Sequence, residues 1–253
     1  MPTIEENFKK WNDTFDWQKE KPEWCESALT NDLFWQFSLF PRIQSFLPAK
    51  TILEIAPGHG RWTEFLKRHC ETLLLVDLSP NCIEACKKRF VKNPHLKYFV
   101  NDGKSLEFIG EHSVDFVFSF DSLVHCEKEA IEAYLKELST KLSPNGVGFI
   151  HHSNLAAHDT ASMSPEEKAL LSRGWRGRSM SAEIFSDACP ENKLSCVTQE
   201  RINWNSRWLI DCLSTFTPVG SVWERALQRF DNPNFLELRK LQKGLQPYVY
   251  SKF

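Results

Sequence analysis

The chain has 253 residues, a formal net charge of −2, 42% hydrophobic residues and 25% charged residues. That length suits one α/β domain carrying insertions, and the balance is that of an ordinary globular chain. The near-neutral charge points away from nucleic acid or an anionic membrane surface as a partner, and no apolar run approaches the ~20 residues that span a bilayer.

The opening "MPTIEENFKKWNDTF" has no apolar h-region and is not read as a signal peptide. The eight cysteines form no C-x-x-C pair. Most sit in apolar-periodic segments, so reduced thiols in a cytoplasmic protein are expected. Residues 1–48 are dense in aromatics, among them Trp11, Phe15, Trp17, Phe34 and Trp35, and are predicted to form a helical cap.

From residue 51 onward, strand-like and helix-like segments alternate, which predicts a largely parallel sheet with helices on both faces. The first strand is expected over 51–56, followed by a helix whose Trp62, Phe65, Leu66 and His69 share one face. A continuously apolar strand follows at 72–77. Ser79 and Pro80 then supply an N-cap and first-turn pair for the next helix. Strands are expected at 96–102 and 114–121. A helix over 127–142 carries Ile131, Tyr134, Leu135 and Leu138, and "SPNG" (143–146) should stop it. A fifth strand is expected at 147–154, and strands at 194–204 and 209–218 are close enough for a hairpin. Residues 155–190 interrupt the alternation, and the segment from Val222 onward reads as helical with a turn at Asn232–Pro233.

"LEIAPGHGRWTEFL" (53–66) is a strand breaking into a glycine turn and then a helix. In open α/β sheets such a turn lies at the carboxyl ends of the strands, where ligands bind. The dinucleotide fingerprint G-x-G-x-x-G is incomplete, because Thr63 stands at its third glycine. An acid, Glu54, precedes Gly58 by four positions. A second, Asp77, ends the second strand 17 positions after Gly60, and a third, Asp102, ends the third.

These features resemble the class I S-adenosylmethionine-dependent methyltransferases. Their motif runs acid-x-Gly-x-Gly-x-Gly, and "EIAPGHG" matches it with Ala56 at the first glycine. "VDLS" (76–79), "ND" (101–102) and "LSPNGVGFIHHS" (142–153) fall where the family's later motifs do. The resemblance implies a Rossmann-like seven-stranded, mostly parallel sheet whose last two strands form a hairpin. It implies a cap over 1–48 and a cofactor-binding domain over 49–253, with an insertion at 155–190 shaping an acceptor pocket.

Carried over by position, Glu54, Ala56, Gly58 and Gly60 should lie against the methionine part of S-adenosyl-L-methionine. Asp77 and Leu78 should meet the ribose, Asp102 and Gly103 the adenine edge, and Phe120 or Asp121 the floor beneath the sulfonium. Alanine at 56 costs little if its φ is negative, since glycine is required only where φ is positive or the backbone touches a ligand. The cofactor carries an ammonium, a sulfonium and a ribose diol, which favour carboxylates and carbonyls over a phosphate cradle.

Methyl transfer to a hydroxyl needs a base, for which histidine is suited. His125, His151 and His152 lie near the rim. The latter two are adjacent on one strand and must point to opposite faces. Arg173, Arg176 and Arg178 beside Trp175 form a candidate clamp for an anionic acceptor, and Trp11 and Trp17 are candidate lid residues. No metal is expected, because Asp121, His152 and Asn154 offer a hard cation only one carboxylate.

The expected partner is a small-molecule acceptor, most plausibly a hydroxyl of a sugar, sugar phosphate or secondary metabolite. A homodimer is compatible with the chain. The alternatives are an N- or carboxyl-methyltransferase, an NAD(P)-dependent oxidoreductase and a non-catalytic cofactor-binding domain.

Overall fold

A computed structural model describes residues 2–17, 27–204 and 206–236. Trp24, Cys25 and the stretch after Leu236 lie outside the described residues. The chain opens with a short helix α1 (Ile4–Phe8) that widens into a π turn (Lys9–Thr14), capped by Thr3 and Glu6 in a reciprocal box. Helices α2 (Ser27–Phe34) and α3 (Phe40–Ile43) follow, joined by a second π turn.

The sheet then begins with β1 (Ala49–Ile55), α4 (Thr63–Leu66), β2 (Cys70–Asp77), α5 (Pro80–Arg89), β3 (Leu96–Val100), β4 (Val114–Ser119), α6 (Lys128–Lys141) and β5 (Leu142–Ser153). Helices α7 (Pro165–Arg173) and α8 (Ala182–Glu191) occupy the insertion. They precede β6 (Leu194–Ile202), β7 (Asp211–Pro218) and β8 (Gln228–Asn232).

The strand order is β3-β2-β1-β4-β5-β7-β6-β8. The pairs among the first five strands are parallel. β7 runs antiparallel to both β5 and β6, which forms the expected hairpin. Because the chain leaves β1 towards β2 and later returns to β4 on its other side, the carboxyl ends of β1 and β4 flank a crevice.

Strand alternation sorts the core into two layers. Ile52, Leu73, Leu75, Phe116 and Phe118 pack with Phe34, Trp35, Phe65 and Ile83 on one face. Their neighbours Leu53, Leu74, Val76 and Val117 pack with Ile131, Leu135, Leu138 and Phe185 on the other. The N-terminal aromatics Phe34 and Trp35 are therefore core, as are most apolar residues of α6.

Two expectations need correction. Helix α6 ends at Lys141 as predicted, but "SPNG" belongs to β5, which starts at Leu142 with a register break against β4 between Val114 and Phe116. The segment 222–232, read as helical, instead supplies an eighth strand parallel to β6. Arg201 pairs with Asp231 at 2.7 Å, and Arg229 donates to Gln199 at 2.8 Å. These cross-strand contacts outweigh the local helical spacing of Trp223, Ala226 and Phe230.

Candidate functional site

The turn after β1 is built from left-handed backbone. Ala56 has φ +57°, Gly58 +56° and Gly60 +77°. A Cβ on Gly60 would stand 2.4 Å from the Phe90 ring, so the turn lies tight against the end of α5. The expectation of a negative φ at Ala56 is overturned: alanine occupies a position where glycine is easier. Left-handed alanine costs about 1–2 kcal/mol, partly offset by the unfolded-chain entropy that glycine would add. Ala56→Gly should therefore raise the urea midpoint modestly, by less than about 1 kcal/mol of stability. A lowered midpoint would contradict this.

Asp77 closes β2 under the turn. One carboxylate oxygen accepts from Gly58 N at 3.0 Å and the other from Ser79 N at 2.8 Å. Burial raises its pKa to about 6, against the pull of these two N–H groups, so it is charged at neutral pH. Each oxygen keeps a further lone pair.

Above it lies a cavity of about 220 Å³ lined by Ala56, Gly58, Asp77, Leu78, Gly103, Phe120, Asp121 and His125. Trp11 and Trp17 from the N-terminal segment also line it. Trp17 stacks on His59 with ring centroids 4.5 Å apart, and a Cβ on Gly58 would stand 2.8 Å from the same indole.

On two residues that line this cavity, a buried acceptor atom has no hydrogen-bond partner among the described residues: Asp121 Oδ1 and His125 Nε2. Asp121 itself is left-handed at φ +62°. Its N–H donates to His151 Nδ1 at 3.2 Å, and its Oδ2 lies 3.4 Å from the Arg61 guanidinium. Burial raises its pKa, partly offset by Arg61. His125 Nδ1 faces the Trp175 carbonyl at 2.8 Å and must carry the proton, which leaves Nε2 as a bare lone pair. Burial and the charge of Arg176 lower the His125 pKa to about 3, so the ring is neutral throughout the physiological range.

Several expected site residues lie elsewhere. Glu54 is 2% exposed beneath the turn, outside the cavity lining, and accepts from Thr63 Oγ1 at 2.5 Å. Gly60 shapes the turn from below without lining the cavity. Asp102 is exposed and caps its own turn, accepting from Lys104 N, Ser105 N and Ser105 Oγ. His152 points to the opposite face from His151. There it bonds Ser214 and Ser153 O and stacks on Phe185, so it does not reach the cavity. His151 is also buried outside the lining, holding the Asp121 amide.

Of the arginines expected as a clamp, the two with described side chains do not form one. Arg176 is 6% exposed and bound to Asp211 by two bonds of 2.7 Å, while Arg178 is exposed and outside the cavity. Trp175 meets the site only through its backbone and its indole N–H. The side chain of Arg173 lies outside the described residues. Asn154 spends its amide on Leu209 O and Ala182 N. Among the described residues no three His, Cys, Asp or Glu side chains gather as a metal site.

Sequence reasoning missed Asn7, Arg61 and Ser122 in the lining. Arg61 follows the glycine turn directly and was open to inspection, whereas nothing in the sequence singles out Asn7.

The site's chemistry fits the cofactor implied by the glycine turn. The residues that line the cavity offer a charged carboxylate, two acceptors without donors and aromatic faces, which suit an ammonium, a diol and a sulfonium better than a diphosphate.

The comparisons agree. A family model for a methyltransferase domain matches residues 52–146. No curated protein matches by sequence. The structure resembles the N-methyltransferase NodS from Bradyrhizobium japonicum in complex with S-adenosylhomocysteine, with 17% identity, 86% of this chain and 99% of that one covered, and a TM-score of 0.60. It also resembles DhpI in complex with S-adenosylhomocysteine, with 15% identity, 86% and 98% covered, and a TM-score of 0.57. An S-adenosylmethionine-dependent methyltransferase from Clostridium acetobutylicum is 14% identical, with 80% and 97% covered and a TM-score of 0.57. These identities speak for a shared fold, and the family match marks residues 52–146 of the chain as a methyltransferase domain.

Proposed function

We propose that the chain transfers a methyl group to a small-molecule hydroxyl whose O–H is received by His125. The observation that carries this reading is the buried, unpartnered Nε2 of His125, a residue that lines the cavity, with its tautomer set by the Trp175 carbonyl. S-adenosylmethionine supplies a methyl carried on a sulfonium, open to in-line displacement. Asp77 receives the ribose diol, the turn 56–60 the methionine part and Gly103 the adenine edge. Phe120 and Asp121 form the floor. Trp11 and Trp17 close the cavity from the cap (1–48) and exclude water. His125 holds the nucleophile's proton and aims its lone pair at the reacting carbon.

A second reading, an amine acceptor, is favoured by the low basicity of His125 and by the unpaired Asp121 Oδ1. A neutral amine needs no strong base, and a carboxylate steadies the cationic product. The reducing cytoplasm suits either version, since the seven cysteines among the described residues are free thiols.

His125→Asn tests the proposal, because the asparagine amide reaches the Trp175 carbonyl but lacks Nε2. S-adenosylhomocysteine affinity by calorimetry should stay within about twofold, while kcat on a hydroxyl acceptor found by panel screening should fall roughly 100-fold or more. Wild-type kcat/KM should be flat between pH 5 and 8 as far as His125 is concerned, because its pKa lies near 3. An amine acceptor would instead impose its own ionisation on the profile and lose far less in His125→Asn. Full activity of the variant on a hydroxyl acceptor would overturn the role given to His125.

A further inference from the structure

Asn7 lies on α1 and is 5% exposed. Its Oδ1 accepts from Trp175 Nε1 at 2.8 Å and from Trp11 Nε1 at 3.3 Å, while its Nδ2 donates to the His125 carbonyl at 2.8 Å. Both indoles are donors only and the carbonyl is an acceptor only, so the amide has one allowed orientation. The bonds close a ring: Asn7 holds the Trp175 indole, the Trp175 carbonyl takes the His125 Nδ1 proton, and the His125 carbonyl takes the Asn7 amide.

Trp175 needs such a restraint. It is left-handed at φ +51°, a conformation that a bulky residue keeps only when its surroundings impose it. From the other side, Gly177 N bonds Val124 O at 2.8 Å, and a Cβ on Gly177 would stand 2.0 Å from the Cys126 carbonyl. The 174–177 loop is thus seated directly on the turn that bears His125. The ring of Trp11, from the same helical segment as Asn7, lies 4.8 Å from the His125 imidazole.

We propose that Asn7 is a positioning residue for methyl transfer, fixing the tautomer and aim of His125 through the Trp175 backbone. The cap thereby does more than cover the cavity: it completes the group that meets the acceptor. The proposal rests on the reading of His125 given above, but its primary test needs no acceptor and so holds or fails apart from that reading.

The test uses the full-length protein labelled with 15N-histidine, with the His125 signals assigned by their loss in His125→Asn. Wild type should show a protonated Nδ1 and a pyridine-type Nε2. Asn7→Leu matches the side chain in size but makes no hydrogen bond, and Trp175→Phe keeps an aromatic ring, though a smaller one, without the indole N–H. Both should turn the fixed tautomer into a mixture of the two. Asn12→Ala is the control. Asn12 Oδ1 anchors the same segment to Ser79 Oγ and Asn81 N, at 2.8 and 3.2 Å, without touching His125. Its nitrogen spectrum should match wild type.

Once an acceptor is in hand, Asn7→Leu should lower kcat about tenfold or more with little change in the KM for S-adenosylmethionine, as loss of aim rather than of binding predicts. Unchanged His125 signals in both Asn7→Leu and Trp175→Phe would overturn the proposal. So would an Asn12→Ala spectrum as mixed as theirs, which would reduce Asn7 to a docking contact.

Discussion

Replacing Asp211 with alanine should cost the fold about 3–5 kcal/mol, because it leaves a buried guanidinium without its counter-ion. Asp211 is fully buried, and its two oxygens take Arg176 Nε and Nη2 at 2.7 Å each, the planar fork-on-fork match of arginine and carboxylate. Arg176 Nη1 is spent on Gly174 O at 3.2 Å. His151 Nε2 lies 3.3 Å from Asp211 Oδ2, outside good hydrogen-bond geometry.

Burial alone would raise the Asp211 pKa, but the Arg176 charge, with the contacts from His151 and Arg176, more than offsets it. The carboxyl is held below its ordinary range. A carboxyl lowered on folding contributes stability above its unfolded pKa of about 3.9 and loses it as pH falls further, so a measurement at pH 7 sees the whole contribution. Arg176→Met should be similarly costly, since it strands the carboxylate. The double variant Arg176→Met with Asp211→Leu should recover most of the loss, because an apolar pair of comparable volume escapes the desolvation of both charges. Urea unfolding of the four proteins gives the cycle. Losses that simply add would refute the pairing as the source of the effect.

That pair also shows where sequence legibility ends. The arginine cluster at 173–178 was visible, and so was the strand bearing Asp211. Which arginine meets that acid is decided by the insertion folding back over β5 and β7, 35 residues away in sequence. Local pattern carried the parallel strands well, because a strand buried on both faces has to be continuously apolar, as Leu73 to Val76 are.

The same pattern misread 222–232. An edge strand exposed on one side, with Gln228, Arg229, Phe230 and Asp231 all exposed, has little apolar alternation to betray it. Its hydrogen bonds to β6 are purely non-local. At the site, the glycine turn and the acid at 77 were legible because their chemistry needs residue types that sequence displays. The left-handed φ of Ala56 was not, since alanine does not advertise strain. Asn7 was not legible either, since one polar residue in a helix says nothing about a partner 118 positions on.

Glu54→Gln should flatten the alkaline side of the stability profile and leave the protein more stable than wild type at pH 8. Glu54 sits one residue before the end of β1, between Leu75 of β2 and Phe118 of β4, with Thr63 Oγ1 donating to it at 2.5 Å. Burial raises its pKa to about 8, with the Thr63 bond pulling the other way. The group is therefore largely protonated in the folded chain at neutral pH and ionised in the unfolded one. A carboxyl raised on folding gives its full stability below the unfolded value near 4.3, and that contribution is lost as pH climbs through the folded value.

The other carboxyls and histidines with resolved shifts act mainly lower, and the thiols raised by burial, among them Cys70, Cys82 and Cys86, add to the alkaline decline only as pH nears the unfolded thiol value of about 8.5. Burial raises the Asp77 pKa only to about 6, the same sense as Glu54. Burial depresses His125 and His152 to about 3 and about 4, which favours the fold above pH 6.5 and destabilises it as pH falls towards those values. Between pH 6.5 and 8 the Glu54 contribution dominates. With the unfolded carboxyl ionised and the folded one holding its proton, stability falls by roughly 1.4 kcal/mol per pH unit at first, and by about 1.5 kcal/mol in total across that window. Glutamine keeps an acceptor for Thr63 and has no proton to lose, so its unfolding midpoint in urea should be nearly level from pH 6.5 to 8 while that of wild type declines. Parallel slopes for the two proteins would mean that Glu54 ionises in the folded chain as freely as in water, and the buried acid beneath the glycine turn would then be a charge rather than a neutral hydrogen-bonded prop.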